Sequence, residues 1–414
     1  MEKKIIKDFE DTFKKSLLND RVKFKKEFLN KFIKEGFPSR KLESWKFSDL
    51  NQIINNNIAN LNFYNDIKKT YKIDESIYFN NIEHNSLVFV NGKLEKINLK
   101  YEDGKKLKIQ EETTIENTKF QNNALINLNN AFVINNYKIC VEKNYKVKKP
   151  LIIYHVTNNE LTSSNINIQL NFLLGENCSL RVIDINNDKS EKNFINIYYN
   201  FNLQKDSVLK NFKLDYSNNN NIKYSFNNID QDINSISETF ILSNGSKFVK
   251  NEINCNLNGK YSSAFVNGIF SLNENKHHEI KTNINHLVEN TKSYQLIKSV
   301  LENSSKSVYQ GKIYVSSEAQ KTDGYQLSKA ILLNENSEFN AKPELEIYAD
   351  DVKCSHGSAS GSLNENSIFY LRSRGLNHKE AKNLLIKGFL LDVIDKITDD
   401  EIKNLIKSTM GLLQ

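Results

Sequence analysis

Two side chains with metal-binding chemistry lie two positions apart near the C-terminal end of the sequence. Cys354 and His356 follow an alternating stretch, 342–352, and are followed by a run of small residues, 357–361. Residues i and i+2 of an extended strand point to the same side, so the thiol and the imidazole can converge on one ion. Thiolate and imidazole together suit iron, iron–sulfur clusters or zinc. The spacing therefore indicates a candidate soft-metal or cluster site at Cys354 and His356.

These residues also have ordinary explanations. A free cysteine is usually a small buried hydrophobe, and two ligands do not complete the four-ligand shell of a zinc site. Four oxygen donors precede the pair, and a solvated strand face would account for them: Glu344, Glu346, Asp350 and Asp351. The remaining cysteines lie in strand patterns, where core packing is the default: Cys140, Cys178 and Cys255. From the residues alone, a metal site and a packed strand both stay open.

Composition and motifs argue against several classes of protein. Charged residues make up 26% and hydrophobic residues 39% of the 414, as in soluble globular proteins. A net charge of +7 without a long basic run gives no support to nucleic-acid binding. Residues 1–8 lack a secretory signal pattern, no apolar run approaches the roughly 20 residues of a membrane helix, and no phosphate-binding loop occurs. Four cysteines without a Cys-x-x-Cys pair predict a reducing, cytoplasmic location.

The first 35 residues predict two helices. Apolar residues recur at spacings of three and four from Ile5 to Leu17, and again over residues 24–32. Asn19 and Asp20 favour caps and turns, so they are expected to separate the two helices.

From about residue 85 to residue 360 the apolar pattern changes to period two. In residues 166–174 and 195–203, large apolar residues alternate with polar ones, mostly Asn and Gln. This alternation is typical of strands with one buried face. No helical stretch is expected to interrupt the region, which argues against alternating strand–helix units.

A leucine followed by a polar turn recurs at nearly constant spacing through this region. The leucines are Leu174, Leu203, Leu242, Leu272, Leu301 and Leu333, with spacings of 29, 39, 30, 29 and 32 residues. A strand-rich chain with such a period predicts stacked coils, a β-helix, with a sandwich of long hairpins as the alternative. Coils bury their apolar faces by stacking, so the ends need caps, which helical termini would supply.

The sequence after residue 363 returns to helical patterns. Asn377 with Glu380, and Thr398 with Glu401, have the spacing of capping boxes. Between them, the apolar surface of residues 384–394 is broader than one helix face needs. A large apolar face without cover from its own chain usually indicates a partner.

Three segments resemble one known family. Residues 342–357 and 368–376 together resemble the C-terminal signature of SufD proteins, which belong to the SufB/SufD family of the SUF iron–sulfur cluster assembly machine. Residues 38–50, with the single tryptophan Trp45, resemble the Pro-x-Arg-Lys-x-Glu-x-Trp-Lys element near the start of these proteins. Apart from any site, Trp45 is expected to pack against its domain. The resemblance covers residues 309–397 closely.

Two departures separate the chain from the SufB branch of the family. SufB proteins tend to carry a Glu-His-Glu-Ala type of sequence where residues 354–357 read Cys-Ser-His-Gly. They also keep a cysteine upstream, where residues 343–350 have none. Both departures favour the SufD branch.

The resemblance, together with the patterns above, implies a fold and a role. We predict a mainly β protein with a right-handed parallel β-helix core, residues 85–362, between helical domains at residues 1–84 and 363–414. The implied role is a non-catalytic subunit of the SUF complex. It would pair with a SufB-like scaffold and a SufC-like ABC ATPase and support iron acquisition and cluster assembly.

The resemblance also implies sites and ligands. The metal or cluster role falls on His356, with Cys354 secondary, at the interface with the SufB-like chain. Docking of the SufC-like ATPase falls on the C-terminal helical region, with these candidate contacts: Arg372, Arg374, Phe389 and Leu390. No cofactor is expected to be tightly bound to the isolated chain, whereas iron or an iron–sulfur cluster would bind transiently in the complex. A homodimer is a further possible state, and neither nucleic acid nor a membrane is an expected partner.

Two alternatives from other classes remain. One is a cytoplasmic β-helix protein that acts on carbohydrate, although such enzymes are mostly exported and the sequence singles out no groove of charged groups. The other is a purely structural homodimer.

Overall fold

The computed structural model of the protein describes residues 2–14, 20–58, 60–64, 70, 72–112, 120, 122–158 and 161–412. The predicted helix break at Asn19 and the apolar position Leu17 lie outside these residues.

Strands make up most of the middle of the described chain. The first ten are β1 Asn85–Val90, β2 Lys93–Asn98, β3 Leu107–Glu112, β4 Asn136–Val141, β5 Leu151–Thr157, β6 Asn165–Leu174, β7 Ser179–Asp188, β8 Phe194–Leu203, β9 Val208–Asp215 and β10 Ile222–Gln231. The others are β11 Ile236–Ser243, β12 Phe248–Leu257, β13 Ser263–Leu272, β14 His277–His286, β15 Lys292–Leu301, β16 Lys306–Val315, β17 Asp323–Leu332, β18 Glu338–Ile347 and β19 Lys353–Gly361.

Helices lie mainly towards the two termini. They are α1 Glu2–Phe13, α2 Asp20–Glu35, α3 Leu50–Asn57, α4 Ala124–Phe132, α5 Glu365–Ser373, α6 His378–Ile394 and α7 Asp400–Thr409, with short 3-10 turns at Glu43–Trp45 and Glu75–Ile77. The turn at Glu43–Trp45 buries Trp45, as predicted.

The strands alternate between two sheets. One sheet, here called the odd sheet, holds the odd-numbered strands from β5 to β19 with β1 and β2, and the even sheet holds β4 to β18 with β3. From β4 onward, neighbours pair in parallel and in register: Ile222 lies beside Phe248, which lies beside His277. The result is a parallel β-solenoid of about eight turns. This confirms the predicted β-helix, and a sandwich of hairpins is excluded because its neighbouring strands would be antiparallel.

The space between the two sheets, here called the lumen, is filled by every second residue of each strand. Phe172 and Phe201 occupy the same position in successive coils, and their rings stack with centroids 4.4 Å apart. Because side chains alternate between the faces of a strand, the period-two pattern of the sequence becomes a continuous apolar column through the stacked coils.

The leucine repeat reports the coil period, although its members do not form a single column. Leu174 pairs with Leu203 in the even sheet, whereas Leu272 pairs with Leu301 in the odd sheet. Leu242 belongs to the odd sheet, so the 39-residue spacing marks the point where the series changes sheet. Spacings near 29 residues therefore correspond to one full turn. The 39-residue spacing is longer because each turn has two strands and the series passes from the even sheet to the odd sheet.

Two expectations about helices are wrong. The strand region is interrupted by α4, which packs with the N-terminal helices beside β6 and β8. The terminal helices also do not cap the ends of the solenoid. Those of the N-terminal region cover the outer face of the even sheet at Phe194, Tyr224 and Phe248. Helices α6 and α7 cover the outer face of the odd sheet near Phe212 and Leu242.

Among the strands that the structure describes, none is stacked beyond β18 and β19 at the end of the solenoid that these two form, here called the open end. These are the last strands of their sheets, and their side chains are exposed or half-buried throughout. At the other end, antiparallel partners β2 and β3 close the first turn. The asymmetry follows from the helices, which bury their apolar stripes on the broad sheet faces, where more apolar area is available.

The caps of the C-terminal helices agree with one prediction and correct the other. Asn377 and Glu380 form the predicted capping box at the start of α6. Helix α7, in contrast, is capped by Asp399, whose carboxylate accepts the Ile402 N–H, and not by Thr398. The Thr398 hydroxyl instead donates to the Glu238 carboxylate of the odd sheet, because the fold places this charged acceptor within reach and charge strengthens the bond.

In the part of the chain that the structure describes, no helix has the length and apolar character needed to cross a membrane. Strands run from Asn85 to Gly361. The division into three domains stays a prediction, since the terminal helices share their cores with the outer faces of the solenoid.

Candidate functional site

Cys354 and His356 lie on β19, the last strand of the odd sheet. In the ladder with β17, Cys354 is beside Gly324 and His356 is beside Gln326. The Cys354 side chain packs at the edge of a small apolar cluster with Ile313 of β16. Because Ile313 faces the lumen and alternate residues share a face, His356 is also on the lumen side of β19, about 7 Å along the strand from Cys354.

The two side chains differ in environment. Cys354 is half-buried, and burial raises the pKa of its thiol, so the thiolate is disfavoured in this chain alone. His356 is exposed at the open end. Within the described residues it has no hydrogen-bonding or ion-pair partner, so its ring nitrogens are available to a ligand. The sequence prediction that both side chains share one face agrees with this placement, and the metal role itself stays a prediction.

The nearby carboxylates do not join this pair. Glu344 and Glu346 are on the outer face of β18, where they pair with Lys342 and Lys312. Among the described residues, no three His, Cys, Asp or Glu side chains come together in an arrangement that would hold a metal ion. A complete coordination shell at His356 would need more ligands than the described residues bring together there.

The open end also presents unpaired backbone. The Lys353 N–H donates to the carbonyl of Thr322, directly before β17. The backbone N–H and C=O groups of odd residues of β19 therefore face β17, and those of even residues, including His356, face the free edge. On β18 the backbone groups of even residues bond towards β16, as the Glu338 N–H does to the Ser305 carbonyl, so Pro343 is on the free-edge side. Proline lacks an N–H, so β18 offers an interrupted edge, whereas β19 offers a continuous one.

A chain of buried polar side chains lies in the lumen behind His356. The Thr282 hydroxyl lies 2.5 Å from Gln295 Oε1, and the Tyr309 hydroxyl lies 3.0 Å from the same atom and 3.2 Å from Gln326 Oε1. Gln326 Nε2 donates to the Glu344 carbonyl of β18 at 3.3 Å. The four side chains are almost fully buried, so this chain leads from the interior to the strand beneath the open end.

The predicted ATPase contacts separate into two groups. Arg372 on α5 and Arg374 at its C-terminal end are exposed, and the Arg374 guanidinium lies 5.3 Å from the centroid of the Tyr370 ring. Leu390 is buried against the outer face of the odd sheet. Phe389 is half-buried, and the Lys298 ammonium lies 4.4 Å from the centroid of its ring. The expectation that the apolar surface of residues 384–394 has no cover within the chain is therefore wrong.

The exposed apolar side chains of this region are different ones. Phe369 is 74% exposed, Tyr370 56% and Leu384 47%. Phe369 and Tyr370 lie next to each other on α5, beside Arg372 and Arg374. Exposed aromatic residues flanked by arginines are typical of protein interfaces. The signal in the sequence was an aromatic pair in a nine-residue helix that also contains Ile368 and Leu371, but the exposure of the pair depends on how α5 leaves the solenoid.

A cleft of about 440 Å³ lies between the odd sheet and the α6–α7 turn. Its floor includes the rings of Phe265, Tyr294 and Tyr325 at successive rungs. These rings are on the outer face of the sheet, opposite to the lumen side that holds His356. The cleft is therefore separate from the candidate metal site.

Comparison with known proteins identifies relatives along most of the chain. Residues 155–389 match the family model described as the SUF system FeS cluster assembly, SufBD core domain, and this is more than half of the chain. The "Iron-sulfur cluster assembly protein SufD" of Escherichia coli (strain K12) is 25% identical over 395 residues, which cover 93% of this chain and 91% of that protein.

Two further relatives match over shorter segments. An "Iron-sulfur cluster assembly SufBD family protein" of Synechocystis is 37% identical over 103 residues, which are 25% of this chain and 23% of that protein. One from Mycobacterium leprae is 28% identical over 167 residues, which are 38% of this chain and 43% of that protein.

Proposed function

Because the chain belongs to the SufBD core family of SUF-system iron–sulfur cluster assembly proteins, we propose that it is a non-catalytic assembly subunit. In this role it presents His356 to iron or a nascent cluster at an interface with a second chain. The observation that carries the proposal is the position of His356. Its imidazole is exposed and without partners among the described residues, at an end of the solenoid that none of these residues covers.

The open end explains why a second chain is needed. A strand with unpaired N–H and C=O groups is a template for pairing with another strand. The continuous edge of β19 carries His356, and its neighbours Ser355, Gly357 and Ser358 are small, so another backbone can approach closely. A SufB-like solenoid that adds a strand here would bring its own ligands to the imidazole and complete the metal shell.

The second proposed partner is a SufC-like ATPase at the C-terminal helices. The supporting observation is the exposed group of Phe369, Tyr370, Arg372 and Arg374 on and beside α5. Helix α5 directly follows β19, so a force on α5 would be transmitted to the strand that carries His356. ATP-driven movement of the ATPase would thus rearrange the interface where iron or the cluster binds.

Iron and the cluster are substrates in this proposal. The isolated chain supplies one exposed imidazole and one protonated thiol, too few ligands for tight binding. Binding is therefore expected to be transient and to occur in the assembled complex. We place this complex in the cytoplasm, where the four cysteines, all free in the structure, would stay reduced.

Co-expression with the SufB-like and SufC-like chains, followed by size-exclusion chromatography and iron titration, tests the proposal. His356→Ala is expected to leave the complex assembled and to abolish iron binding and cluster transfer to an apo acceptor. Cys354→Ala should have a smaller effect, since its thiol is half-buried. Wild-type iron binding in His356→Ala would contradict the ligand role.

The proposed ATPase contact is better tested by point substitutions than by deletion of the last helices. Removing α6 and α7 would expose the outer face of the odd sheet and unfold the protein for an unrelated reason. A homodimer that binds neither partner chain would contradict the assembly role and favour a structural dimer.

A further inference from the structure

The lumen directly behind His356 holds two successive buried glutamines, whereas deeper in the solenoid the same column mixes apolar and polar residues, at Val182, Asn211, Thr239 and Val266. The column of the odd sheet that ends in His356 contains Val266, Gln295 and Gln326 at successive coils. Val266 is fully buried, so aliphatic side chains fit this position well. Because a valine packs in this column one coil deeper, two successive glutamines are not needed to fill it, and a buried polar group lowers stability unless it is bonded.

The two glutamines are joined by hydrogen bonds that cross between the sheets. Tyr309 of the even sheet lies between them, with its hydroxyl 3.0 Å from Gln295 and 3.2 Å from Gln326. A hydroxyl donates one hydrogen bond. When Gln295 Oε1 faces the Thr282 and Tyr309 hydroxyls, its Nε2 has no partner among the described residues. If the side-chain amide is rotated by 180°, Nε2 takes the place of Oε1 and donates to both hydroxyls.

With the Gln295 amide turned over, the row of hydrogen bonds runs in one direction. Gln295 donates to Tyr309, Tyr309 donates to Gln326, and Gln326 donates to the Glu344 carbonyl at 3.3 Å. Gln326 thus connects β17 with β16 and β18, the last two strands of the opposite sheet. It also lies directly beside His356 in the ladder, at the strand spacing of about 4.8 Å.

The glycine at position 311 leaves room for these hydrogen-bonded side chains. A Cβ atom at this position would overlap with Gln326 Oε1 and with the Tyr309 hydroxyl. Gly311 is beside Thr282 in the even sheet and faces the lumen. The absence of a side chain at this one place makes room for the contact between Tyr309 and Gln326.

We propose that Gln326 is a positioning residue for His356. By bonding Tyr309 on one side and the Glu344 backbone on the other, it sets the separation of the two sheets beneath the open end and supports the strand that presents the imidazole. The inference rests on the proposed function, in which His356 is an iron ligand completed by a second chain. Groups that hold a metal-binding histidine in place from behind typically change metal affinity 10- to 100-fold.

The test uses the full complex with its SufB-like and SufC-like partners, titrated with Co²⁺ alone as the probe. The His356→Ala complex defines which part of the Co²⁺ binding and d–d absorption depends on the imidazole. Gln326→Leu, which removes the amide at similar volume, is expected to leave the complex assembled. The substitution should weaken His356-dependent Co²⁺ binding by about 10-fold or more. It should also alter the d–d spectrum, because the ligand geometry changes.

Tyr309→Phe removes only the hydroxyl and serves if Gln326→Leu does not fold; it is expected to change the spectrum in the same direction. Ser328→Ala is the matched control. Ser328 faces the lumen on the same strand and bonds Ser358 of β19 at 3.1 Å, outside the Gln326 chain. Its Co²⁺ binding should match the wild type.

Wild-type affinity and spectrum in both Gln326→Leu and Tyr309→Phe would overturn the inference while His356 remained a ligand. An equal loss in Ser328→Ala would also overturn it, since any lumenal change would then have the effect. If His356→Ala itself leaves Co²⁺ binding unchanged, the proposed function fails, and the inference fails with it.

Discussion

The Lys250 ammonium lies 4.4 Å from the centroid of the Trp45 ring, although the two residues are 205 positions apart in the sequence. Lys250 is completely buried on the outer face of the even sheet, where it also pairs with Glu279 at 2.5 Å and donates to the Ser44 carbonyl at 2.8 Å. The Lys250–Glu279 pair and the Trp45 ring together attach the N-terminal segment to the solenoid. Burial by itself opposes ionisation of Glu279, but the Lys250 ammonium and the His277 ring bring the pKa of its carboxyl down to about 2.

Removal of Lys250 is expected to be among the most destabilising single changes in the chain. Lys250→Met leaves the Glu279 carboxylate buried without its cation, which typically costs about 3–5 kcal/mol. Urea unfolding followed by tryptophan fluorescence measures it, because Trp45 is the single tryptophan and lies at the contact.

The double variant Lys250→Met with Glu279→Gln should regain much of the lost stability, since no buried charge is then unpaired. Lys260→Met serves as the control, because its pair with Glu289 is exposed and should hardly change the midpoint. A Lys250→Met protein as stable as the wild type would contradict the importance of this pair.

His286 should make the protein less stable in mild acid. Burial lowers the pKa of His286 to about 4, from an ordinary value near 6.5. Between these values the unfolded chain binds a proton and the folded chain does not, so stability falls as pH drops from about 6.5 to about 4, by up to roughly 3 kcal/mol for this group. Below the folded value, no further loss comes from His286.

His286→Gln is the variant that isolates this effect. Gln231 occupies the same column two coils away, where it bonds the Ser237 hydroxyl much as His286 bonds those of Thr291 and Ser293. The variant should therefore fold and show a smaller loss of unfolding free energy between pH 7 and about 4. Parallel pH profiles for the two proteins would contradict the prediction.

Gly259 and Gly388 are expected to respond to alanine in opposite directions. A Cβ atom at Gly259 would overlap with the backbone of Ile233 in the neighbouring turn, which cannot move without disturbing the stacked coils. Gly259→Ala should therefore lower the free energy of unfolding by about 3 kcal/mol, the size typical of substitutions that force a backbone shift. Thermal unfolding at one pH measures both variants.

Gly388 lies inside α6, and nothing is within 4 Å of the position that a Cβ atom would take. Gly388→Ala should raise stability by about 0.5–1 kcal/mol, because alanine is the better helix former. If both variants were destabilised alike, the close approach of the turns at Gly259 would not be the cause.

Phe369 is expected to contribute to ATPase binding without contributing to stability. It is 74% exposed, so Phe369→Ala should leave the unfolding midpoint unchanged. A buried aromatic anchor at an interface is typically worth about 2 kcal/mol or more, so affinity for the SufC-like chain should fall at least about 10-fold. Isothermal titration calorimetry of the purified chains provides the affinity.

Tyr261 offers a matched control for this experiment. It is 59% exposed in the turn between β12 and β13, and Asn suits its positive φ of 64°. Tyr261→Asn should leave ATPase affinity unchanged. Equal losses in both variants would indicate a non-specific effect of surface aromatics.

Local patterns predicted the elements of this fold well, and contacts between elements less well. The alternation in residues 166–174 and 195–203 was enough to predict β6 and β8, and the 29-residue spacing was enough to predict coils. The helix α4 was missed because its sequence, Ala124–Phe132, is apolar with three buried asparagines and shows no amphipathic stripe. Asn129 is buried there because its amide bonds the Ile168 and Asn196 carbonyls of the even sheet, a contact invisible to local pattern.

At the candidate site the sequence by itself determined that Cys354 and His356 share a face, because side chains alternate strictly along a strand. It also determined the repeat, since each coil must return its apolar residues to the same lumen. Only the tertiary structure decided that β19 is the last strand, that His356 is exposed while Cys354 is half-buried, and that Leu390 is covered while Phe369 is not. These properties depend on which surfaces meet, and surfaces meet through packing between residues distant in sequence, whose free energies no local spacing encodes.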